Sequence, residues 1–590
     1  MSQDNTEVEK EKYFESNAGD GSHATDQHLH GIQLFITLVS LLLALFASAL
    51  DQTIVSAILT EIATDFNSFD KVGWLTTAYM LPMACLTPSY GKISIALGRK
   101  YTMLAGLGFF IVGSLIAALA KNMDMFIGGR IIQGIGGGAI SSMNVVIISE
   151  ITPISIRALA MALIGVVFSI ASAAGPFISG SLATKVTWRW CFWINLPIAG
   201  VGFVALLVVF RPPRPQGNIR EKLQKIDYTG TFLISSGLVL VLLALTFGGN
   251  EFSWNSAAVI SCFVLGGILL ILFTCYNFGI SKHPLILKEI IVVPQIVIAC
   301  VAGFLSFGQF MINNVYIAIY FQVIHNDSAW QSGLNLLPFI VTVSLAAVFN
   351  GVFIKFTRTV KITFMLCAIT ALVGSGLLLL FGLELSRGTH YGVLIVNGIS
   401  AGLSFQCSLL SAQLRAPNTV TGSLIVTTAF NYFAKSIGGV LAVSISQVIL
   451  QVSFTAYIKD LIASLDVNSR DYTILTSIPT KALVSNPSVI NKFPDSLKKS
   501  TLTAFLHALK NIFYFSIAIS ALLVITTAFT TNKRIPKDED VLKSKDVEEK
   551  EKETPESEET RESEETPESE KSPESEKSPE LEETSTTSDK

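Results

Sequence analysis

Long apolar stretches separated by short polar ones fill the chain from about residue 32 to residue 530. A helix needs about 20 apolar residues to cross a bilayer, and each stretch is close to that length or above it. The pattern therefore predicts an all-α membrane protein with about fourteen transmembrane helices. The predicted spans are residues 32–57, 73–90, 101–120, 124–148, 158–183, 192–210, 228–247, 257–279, 294–320, 332–354, 361–382, 391–412, 420–449 and 507–530.

The composition supports a membrane protein. Hydrophobic residues make up 50% and charged residues 15% of the 590 residues, whereas soluble domains carry about 25% charged residues. Much of the charge lies near the two ends, so the net charge of -3 averages unlike regions and indicates no nucleic-acid partner. The seven cysteines lie in or beside apolar stretches without metal-ligand spacing, so we expect neither a metal nor another cofactor.

Polar segments flank and interrupt the membrane region. Residues 1–31 predict a disordered tail, and the first apolar stretch is a retained span because no cleavage site follows it. Residues 455–505 predict a partly ordered outer loop between the last two spans. Residues 531–590 are acidic, contain repeats of Pro-Glu-Ser-Glu, and predict a second disordered tail.

The distribution of basic residues predicts the orientation. An even number of crossings places both termini on one side of the membrane. Lysine and arginine are frequent in the loops of that side, as at Arg99, Lys100 and residues 211–225, and scarce in the opposite loops. By the positive-inside rule both tails are then cytosolic. The N-glycosylation sequon at Asn326 falls in an outer loop, which makes Asn326 a candidate glycosylation site.

Polar residues inside the predicted spans mark functional candidates. A charge at the bilayer centre costs about 2.5 to 3.5 kcal/mol, so each one requires a reason. Four helix faces carry polar residues at intervals of three or four positions, and together they predict a polar cavity between helices. The charged candidates are Asp51 and Arg130, and the candidates for the substrate cavity are Gln133, Asn144, Gln309, Asn313, Tyr316, Asn431 and Lys435.

Several of these residues have a second interpretation. Asp51 lies toward the outer end of its span, within reach of interfacial water, and Arg130 is placed where its side chain can snorkel to the membrane surface. Lys435 either exchanges a proton or supplies a fixed positive charge. Tyr316 and Tyr320 form either a wall of the substrate site or part of an aromatic belt.

Short motifs give the chain a family resemblance over residues 32–530. The segment GKISIALGRK, Gly91 to Lys100, resembles the inner-loop motif between spans two and three of the major facilitator superfamily. Further motifs resemble those of its fungal fourteen-span drug:proton antiporter group. They are Arg130, Gln133, Gly134 and Gly136 in span four; Gly165, Gly175, Pro176 and Gly180 in span five; Leu50 to Val55; and Trp188 to Phe192 with Asn195 to Pro197.

The resemblance implies an architecture and a mechanism. Two six-helix bundles, residues 32–210 and 293–530, would rock about a central cavity, with two inserted helices in a linker at residues 211–292.

The glycines from Gly134 to Gly138 predict tight helix packing, not a nucleotide loop, because no strand precedes them.

The resemblance also implies roles for single residues. The span-four arginine, here Arg130, is tied to proton coupling, and the glycine-proline stretch with Gly175 and Pro176 to bending and leak prevention. Conformational roles extend to Gly91, Arg99, Gly165 and Gly180. The chain departs from the inner-loop motif at Ile95, where an aspartate usually helps to latch the bundles. Arg99 is retained, and Glu150 is placed to pair with it.

These observations predict a proton-driven transporter, not an enzyme. It would export small organic compounds, cationic or amphipathic, from the cytosol, as a monomer in the plasma membrane, with Asp51 as the titrating group and Arg130 tuning it. An alternative is a vacuolar antiporter for basic amino acids, which moves its cargo in the same direction away from the cytosol. A third hypothesis, from another class, is a membrane sensor that has lost transport.

Overall fold

The computed structural model describes residues 27–68, 71–213, 218–224, 226–249, 252–327, 329–384, 386–417, 422–466, 469–478, 483, 489–490 and 493–536. Residues 537–590 of the predicted acidic tail (531–590) and residues 1–26 of the predicted N-terminal tail (1–31) lie outside these ranges. Within them, each predicted span corresponds to a helix of 15 residues or more. The helices are α1 Gly31–Ala57, α2 Val72–Leu97, α3 Arg99–Ala118, α4 Met123–Ile151, α5 Ile154–Lys185, α6 Asn195–Val209, α7 Tyr228–Phe247, α8 Ala257–Gly279, α9 Pro294–Ile324, α10 Leu337–Thr357, α11 Lys361–Leu377, α12 Arg387–Gln413, α13 Ser423–Ser464 and α14 Asp495–Ala528.

Most of these helices are apolar enough to cross a membrane. Among the described residues, 13 helical segments satisfy both the length and the composition of a span. Helix α2 is not one of them, although its 26 residues are long enough. Its sequence contains Pro82, Pro88 and several hydroxyl side chains, which lower its mean hydropathy, so its crossing stays a prediction.

The long outer loop is shorter than predicted. Helix α13 continues to Ser464 and α14 begins at Asp495, so both extend well into the segment expected as a loop. Their extensions pack against each other through Phe454 and Phe505, whose ring centroids lie 5.2 Å apart. Apolar residues lie along one face of each extension. The two faces continue the contact between α13 and α14 beyond the apolar spans, which explains why both helices are longer than predicted.

The helices pack mainly within two groups. Helices α1 to α6, the first bundle, pack as α1 on α5 and α6, and α4 on α2 and α3. Helices α9 to α14, the second bundle, pack around α9, α12 and α14. Contacts between the bundles run from α5 to α10 and from α2 to α13. Helix α7 pairs with α8 and also touches α2 and α13.

Glycines allow α4 to approach its neighbours closely. A Cβ atom on Gly136 would lie 2.3 Å from the backbone nitrogen of Phe110 in α3. A Cβ on Gly134 would lie 2.3 Å from the carbonyl oxygen of Tyr79 in α2. The interpretation of this glycine cluster as a helix-packing surface is therefore confirmed.

Candidate functional site

A buried polar network in the first bundle is centred on Asp51. The Oδ2 atom of Asp51 accepts a hydrogen bond from Nη1 of Arg130. Its Oδ1 atom accepts from Nε2 of Gln133 and from Nδ2 of Asn195, each at 2.8 Å. Gln133 also donates to Oγ of Ser114 at 2.7 Å. These five side chains, which we call the Asp51 network, come from α1, α3, α4 and α6, and each is at most 1% exposed.

The Arg130 side chain is buried among described residues of the first bundle. Its Nε donates to the carbonyl oxygen of Leu75 at 3.2 Å, and its Cζ lies 4.4 Å from the ring centroid of Tyr79. Cation–π contact and charge-assisted hydrogen bonds compensate a buried guanidinium for lost hydration. The alternatives of a snorkelling Arg130 and an Asp51 at interfacial water are therefore wrong, because both side chains are buried and paired with each other.

Sequence reasoning missed three participants in this arrangement. Asn195 belongs to the family motif at residues 195–197, but the motif does not indicate that the Asn195 side chain binds Asp51. Ser114 lies on an apolar helix with nothing to distinguish it from a packing residue. Tyr79 stands on α2 and hydrogen-bonds through Oη to the backbone and side chain of Ser48. Only the three-dimensional arrangement brings these groups to Asp51.

A cavity of about 510 Å³ lies between the two bundles. We call the end of the bundles at which α1 stops the distal end and the end at which α1 starts the proximal end. The cavity lining includes Leu59 and Leu245 near the distal end and reaches Val145, Met161 and Leu409 in the proximal halves of α4, α5 and α12. Apolar side chains dominate its surface, with scattered hydroxyl and amide groups. Contributing residues include Gln52 of α1, Thr76 of α2, Phe168 of α5, Thr246 of α7, Phe307 of α9 and Lys435 of α13.

Two of the seven predicted cavity residues, Asn431 and Lys435, line this cavity. Lys435 is only 9% exposed, and its Nζ donates to the carbonyl oxygen of Phe405 at 2.8 Å. Asn431 lies one turn earlier on α13 and accepts a hydrogen bond from Oγ of Ser408 at 3.4 Å. The two polar side chains therefore share the cavity-facing side of α13.

Aromatic rings of the two bundles meet in the same part of the structure. Phe168 of the first bundle meets Phe307 and Phe310 of α9 at centroid distances of 6.3 and 6.2 Å. Phe405 completes the group at 5.4 Å from Phe310. A Cβ on Gly165 would lie 2.9 Å from the Phe405 ring. The absence of a side chain on Gly165 thus allows a ring of the second bundle to approach α5 closely.

Comparison with known families settles the fold. The family model described as Major Facilitator Superfamily matches residues 41–443. The chain belongs to this superfamily. It is therefore a multi-pass membrane transporter and not an enzyme. The human organic anion transporter MFSD10 (TETRAN) has a similar structure, with a TM-score of 0.51 at 14% identity, covering 84% of this chain and 100% of that chain. At such low identity the likeness shows the fold alone.

Curated relatives of this superfamily member are fungal transporters. Vacuolar basic amino acid transporter 5 of Saccharomyces cerevisiae is 32% identical and covers 90% of this chain and 98% of its own length. Azole resistance protein 1 of the same yeast is 32% identical, with coverage of 88% and 91%. Efflux pump aflT of Aspergillus parasiticus is 32% identical, with coverage of 77% and 87%. The resemblance to the fungal fourteen-span group is thereby confirmed.

The second bundle of the transporter contains an uncharged counterpart of the Asp51 network. Nδ2 of Asn313 in α9 donates to Oδ1 of Asn397 in α12 at 2.8 Å. Oδ1 of Asn313 accepts from Ser516 of α14 at 3.2 Å, and Ser516 lies 3.0 Å from Ser375 of α11. Gln309 donates to Ser375 at 3.4 Å. Because the two bundles of this superfamily are related as repeats, α9, α11, α12 and α14 correspond to α1, α3, α4 and α6.

This arrangement places several predicted cavity residues elsewhere. Gln309 and Asn313 face the interior of the second bundle, and Gln133 belongs to the Asp51 network. Asn144 is buried and donates to the carbonyl oxygen of Ile140 on its own helix at 3.1 Å. Tyr316 is buried behind the cavity surface and hydrogen-bonds to Gln447 at 3.4 Å.

The two interpretations of the tyrosine pair are both wrong in this conformation. Tyr316 and Tyr320 are 1% and 0% exposed, so neither faces lipid as a belt residue would. Tyr320 donates to the carbonyl oxygen of Gly382 at 2.6 Å and lies 3.1 Å from the ring nitrogen of His325. Both phenols therefore form hydrogen bonds within the second bundle, Tyr316 with α13 and Tyr320 with the segment that follows α11.

The bundles meet closely at the proximal end. A Cβ on Gly91 would lie 2.8 Å from Cβ of Ala429 in α13. Ile95 packs on an apolar cluster that includes Ile290 and Ile296 of the second half of the chain. Arg99 forms a bidentate ion pair with Glu150, at 3.0 and 2.9 Å, in which both groups are nearly buried. The predicted pairing of Arg99 with Glu150 is confirmed, and Ile95 supplies apolar contact where the family usually has a carboxylate.

The span-five glycines differ in their surroundings. A Cβ on Gly175 would lie 2.1 Å from Oγ1 of Thr53, so Gly175 permits α5 to pack against α1. A Cβ on Gly180 would meet no described atom within 4 Å. Pro176 lies inside α5. Asn326 is exposed in a turn after α9, with a left-handed φ of 56°, and its glycosylation stays a prediction.

Proposed function

We propose that this transporter exports small amphipathic organic molecules in exchange for protons, with Asp51 as the proton-binding group and Arg130 as its partner. The observation that carries the proposal is a buried ion pair inside a bundle of a transporter, in which Oδ2 of Asp51 accepts from Arg130 and Oδ1 accepts from two side-chain amides. Ionisable groups at membrane depth are costly and are therefore kept for function.

A chain of contacts connects this pair with the cavity. Gln52 lines the cavity and donates through Nε2 to the carbonyl oxygen of Ser48 at 3.3 Å. Oγ of Ser48 lies 2.9 Å from Oη of Tyr79, whose ring stacks on Arg130. A change in the position of Arg130 would therefore alter the contacts of Tyr79 and Ser48. Through Ser48 it would reach Gln52, the cavity residue that follows Asp51 in the sequence.

Protonation of Asp51 would drive such a change. The neutral carboxyl group no longer compensates the Arg130 guanidinium, and a buried charge that loses its partner costs about 3–5 kcal/mol. Arg130 must then move toward other acceptors or toward water. Asp51 lies on α1, which packs on α5 at Thr53 and Gly175. A shift of α1 would therefore also move α5, and α5 contacts α10 of the second bundle.

The proposal includes an orientation. With both tails in the cytosol, the distal cavity faces outward, and the proximal contacts at Gly91, Ile95 and Ala429 close the cytosolic side. The apolar cavity surface suits compounds with a large apolar part, and the similarity to proteins named efflux pumps supports export. We place the transporter in the plasma membrane on this basis.

A transport assay with a matched control tests the proposal. Wild-type protein, Asp51→Asn and Arg130→Ala are reconstituted in proteoliposomes with an internal pH dye, and substrate-dependent proton movement is followed. We expect both variants to lose proton movement while they retain substrate exchange in the absence of a gradient. The control is Asp124→Asn, which removes an exposed carboxylate that pairs with Lys71 at 2.6 Å. Unchanged proton movement in Asp51→Asn would refute the role of Asp51.

One relative favours a second candidate function. Vacuolar basic amino acid transporter 5 matches nearly the whole chain, so a vacuolar antiporter for lysine or arginine is the alternative proposal. A fluorescent fusion expressed in yeast would show either the plasma membrane or the vacuole. Uptake of labelled lysine into isolated vacuoles, compared with efflux of an amphipathic dye from whole cells, would then distinguish the two cargoes.

A further inference from the structure

The cavity contains one unbalanced charge. Of the described residues that line it, Lys435 alone is charged, and no carboxylate is among them. In the part of the chain that the structure describes, Lys435 hydrogen-bonds to a backbone carbonyl and forms no ion pair. A buried cation without a counter-charge is costly, and an anion that binds beside it removes that cost. The cavity itself is where a counter-charge can enter.

The lysine is held in a fixed position. Its aliphatic chain passes over Gly303 of α9, where a Cβ would lie 3.3 Å from Cγ of Lys435. One of its three N–H groups is bound to the carbonyl oxygen of Phe405, which leaves two donors for another acceptor. Asn431 lies one turn earlier on the same face, and its amide nitrogen also lies 3.7 Å from Sγ of Cys300. Lys435 and Asn431 therefore supply N–H groups at the cavity surface, and N–H groups are the donors that an oxyanion requires.

We propose that the cargo is an amphipathic organic anion, whose carboxylate or comparable acidic group binds Nζ of Lys435. Its apolar part would lie against Phe168, Phe307 and Phe405, which line the cavity beside the lysine. This inference rests on the proposed export function and names its substrate class. It replaces the expectation of a cationic cargo.

The first bundle does not offer a competing site for a cation. The carboxylate of Asp51 is fully buried and already accepts hydrogen bonds from Arg130, Gln133 and Asn195. It does not belong to the described cavity surface. A cationic compound in the cavity would therefore meet the repulsion of Lys435 without a compensating carboxylate, and repulsion is strong where water is excluded.

Equilibrium binding with three probes of nearly equal shape tests the charge of the cargo. The probes are 1-naphthaleneacetate, its neutral amide 1-naphthaleneacetamide, and the cation 2-(1-naphthyl)ethylammonium, measured by calorimetry on purified protein in nanodiscs at pH 7. We expect the carboxylate to bind about ten- to hundredfold more tightly than the amide, as for a hydrogen bond to a charged group. The ammonium probe should bind most weakly.

Variants of the lysine assign the effect to its charge. Lys435→Gln should abolish the preference for the carboxylate over the amide, Lys435→Arg should retain it, and Lys435→Glu should reverse the order in favour of the ammonium probe. Lys459→Gln, on an exposed part of the same helix, is the matched control and should behave as wild type. Gel filtration and thermal unfolding check that each variant is folded.

The binding result is independent of proton coupling. A preference for the ammonium probe in the wild type, no binding of the carboxylate, or an unchanged carboxylate preference in Lys435→Gln would each overturn the anion assignment. None of these outcomes depends on a pH gradient, so they do not bear on proton-driven export.

Discussion

Replacing Asp51 by asparagine leaves Arg130 as a buried cation without a counter-charge. Arg130 and Asp51 are 1% and 0% exposed, so water cannot take over the role of the carboxylate. Breaking a buried pair from one side costs about 3–5 kcal/mol. The amide of asparagine adds a further conflict, because its NH₂ group competes with the donors of Gln133 or Asn195, which bind Oδ1 at 2.8 Å.

The double variant Asp51→Asn/Arg130→Gln removes both charges together. The second bundle shows that an uncharged network is compatible with this position of the fold, since Asn313 and Asn397 hydrogen-bond there at 2.8 Å. Replacing a whole buried ion pair is often close to neutral, whereas removing half of it is not. We therefore expect the double variant to be more stable than either single variant, with an interaction energy of at least about 2 kcal/mol.

Thermal unfolding of the purified variants measures this order. The single variants should unfold several degrees below the wild type, and the double variant should recover most of that loss. The exposed pair of Lys71 and Asp124 provides a control cycle, in which an interaction energy of no more than about 1 kcal/mol is expected. A double variant as unstable as the sum of the two single variants would refute the description of Asp51 and Arg130 as one coupled unit. If the double variant regains stability but not proton movement, the charges of Asp51 and Arg130 are needed for proton coupling and not for folding.

Three further predictions concern contacts outside the network. Gly136→Ala should destabilise the protein by about 1–3 kcal/mol through overpacking against α3, whereas Gly180→Ala, which meets no described neighbour within 4 Å, should have no such effect; thermal midpoints compare the two. Ile95→Asp should increase the rate at which a thiol reagent labels a cysteine engineered at the proximal end, because the new carboxylate lies against apolar groups of the second half and weakens that contact. Ile95→Leu should leave the labelling rate unchanged. Equal labelling rates in the two variants would contradict the conclusion that apolar contact at Ile95 closes the proximal end. Glu150→Gln should cost about 2 kcal/mol of stability, since it removes the charge from a bidentate arginine pair, and a loss below a few tenths would show that the pair is not needed for folding.

The spans were predictable because each helix is apolar over a length set by the bilayer. Their ends were less so. Helices α13 and α14 continue beyond the apolar limits predicted for them, because protein contact such as that between Phe454 and Phe505 replaces lipid contact there. Hydropathy detects the membrane interval, whereas a helix ends where its packing and its hydrogen bonds end.

The rotation of each helix about its axis was harder to predict. Periodicity showed that Gln309 and Asn313 share a face of α9, but it did not show whether that face meets the cavity or the neighbouring helices of the same bundle. In the structure it meets the neighbours, at Ser375 and Asn397. Lys435, by contrast, does line the cavity. A polar face marks an interior in both cases, and only the packing of all helices distinguishes the two interiors.

The two bundles divide the charges of the transporter between them. The first bundle carries a buried acid and base at a position where the second carries only the amides and hydroxyls of Asn313, Asn397 and Ser516. The second bundle carries its own cavity cation, Lys435, without an acidic partner in the described structure. Under the proposals above, a proton therefore acts on one bundle and the anionic cargo on the other. Each binding event would change the charge balance of a single bundle, and the contacts between the bundles would then couple the two events as they rock.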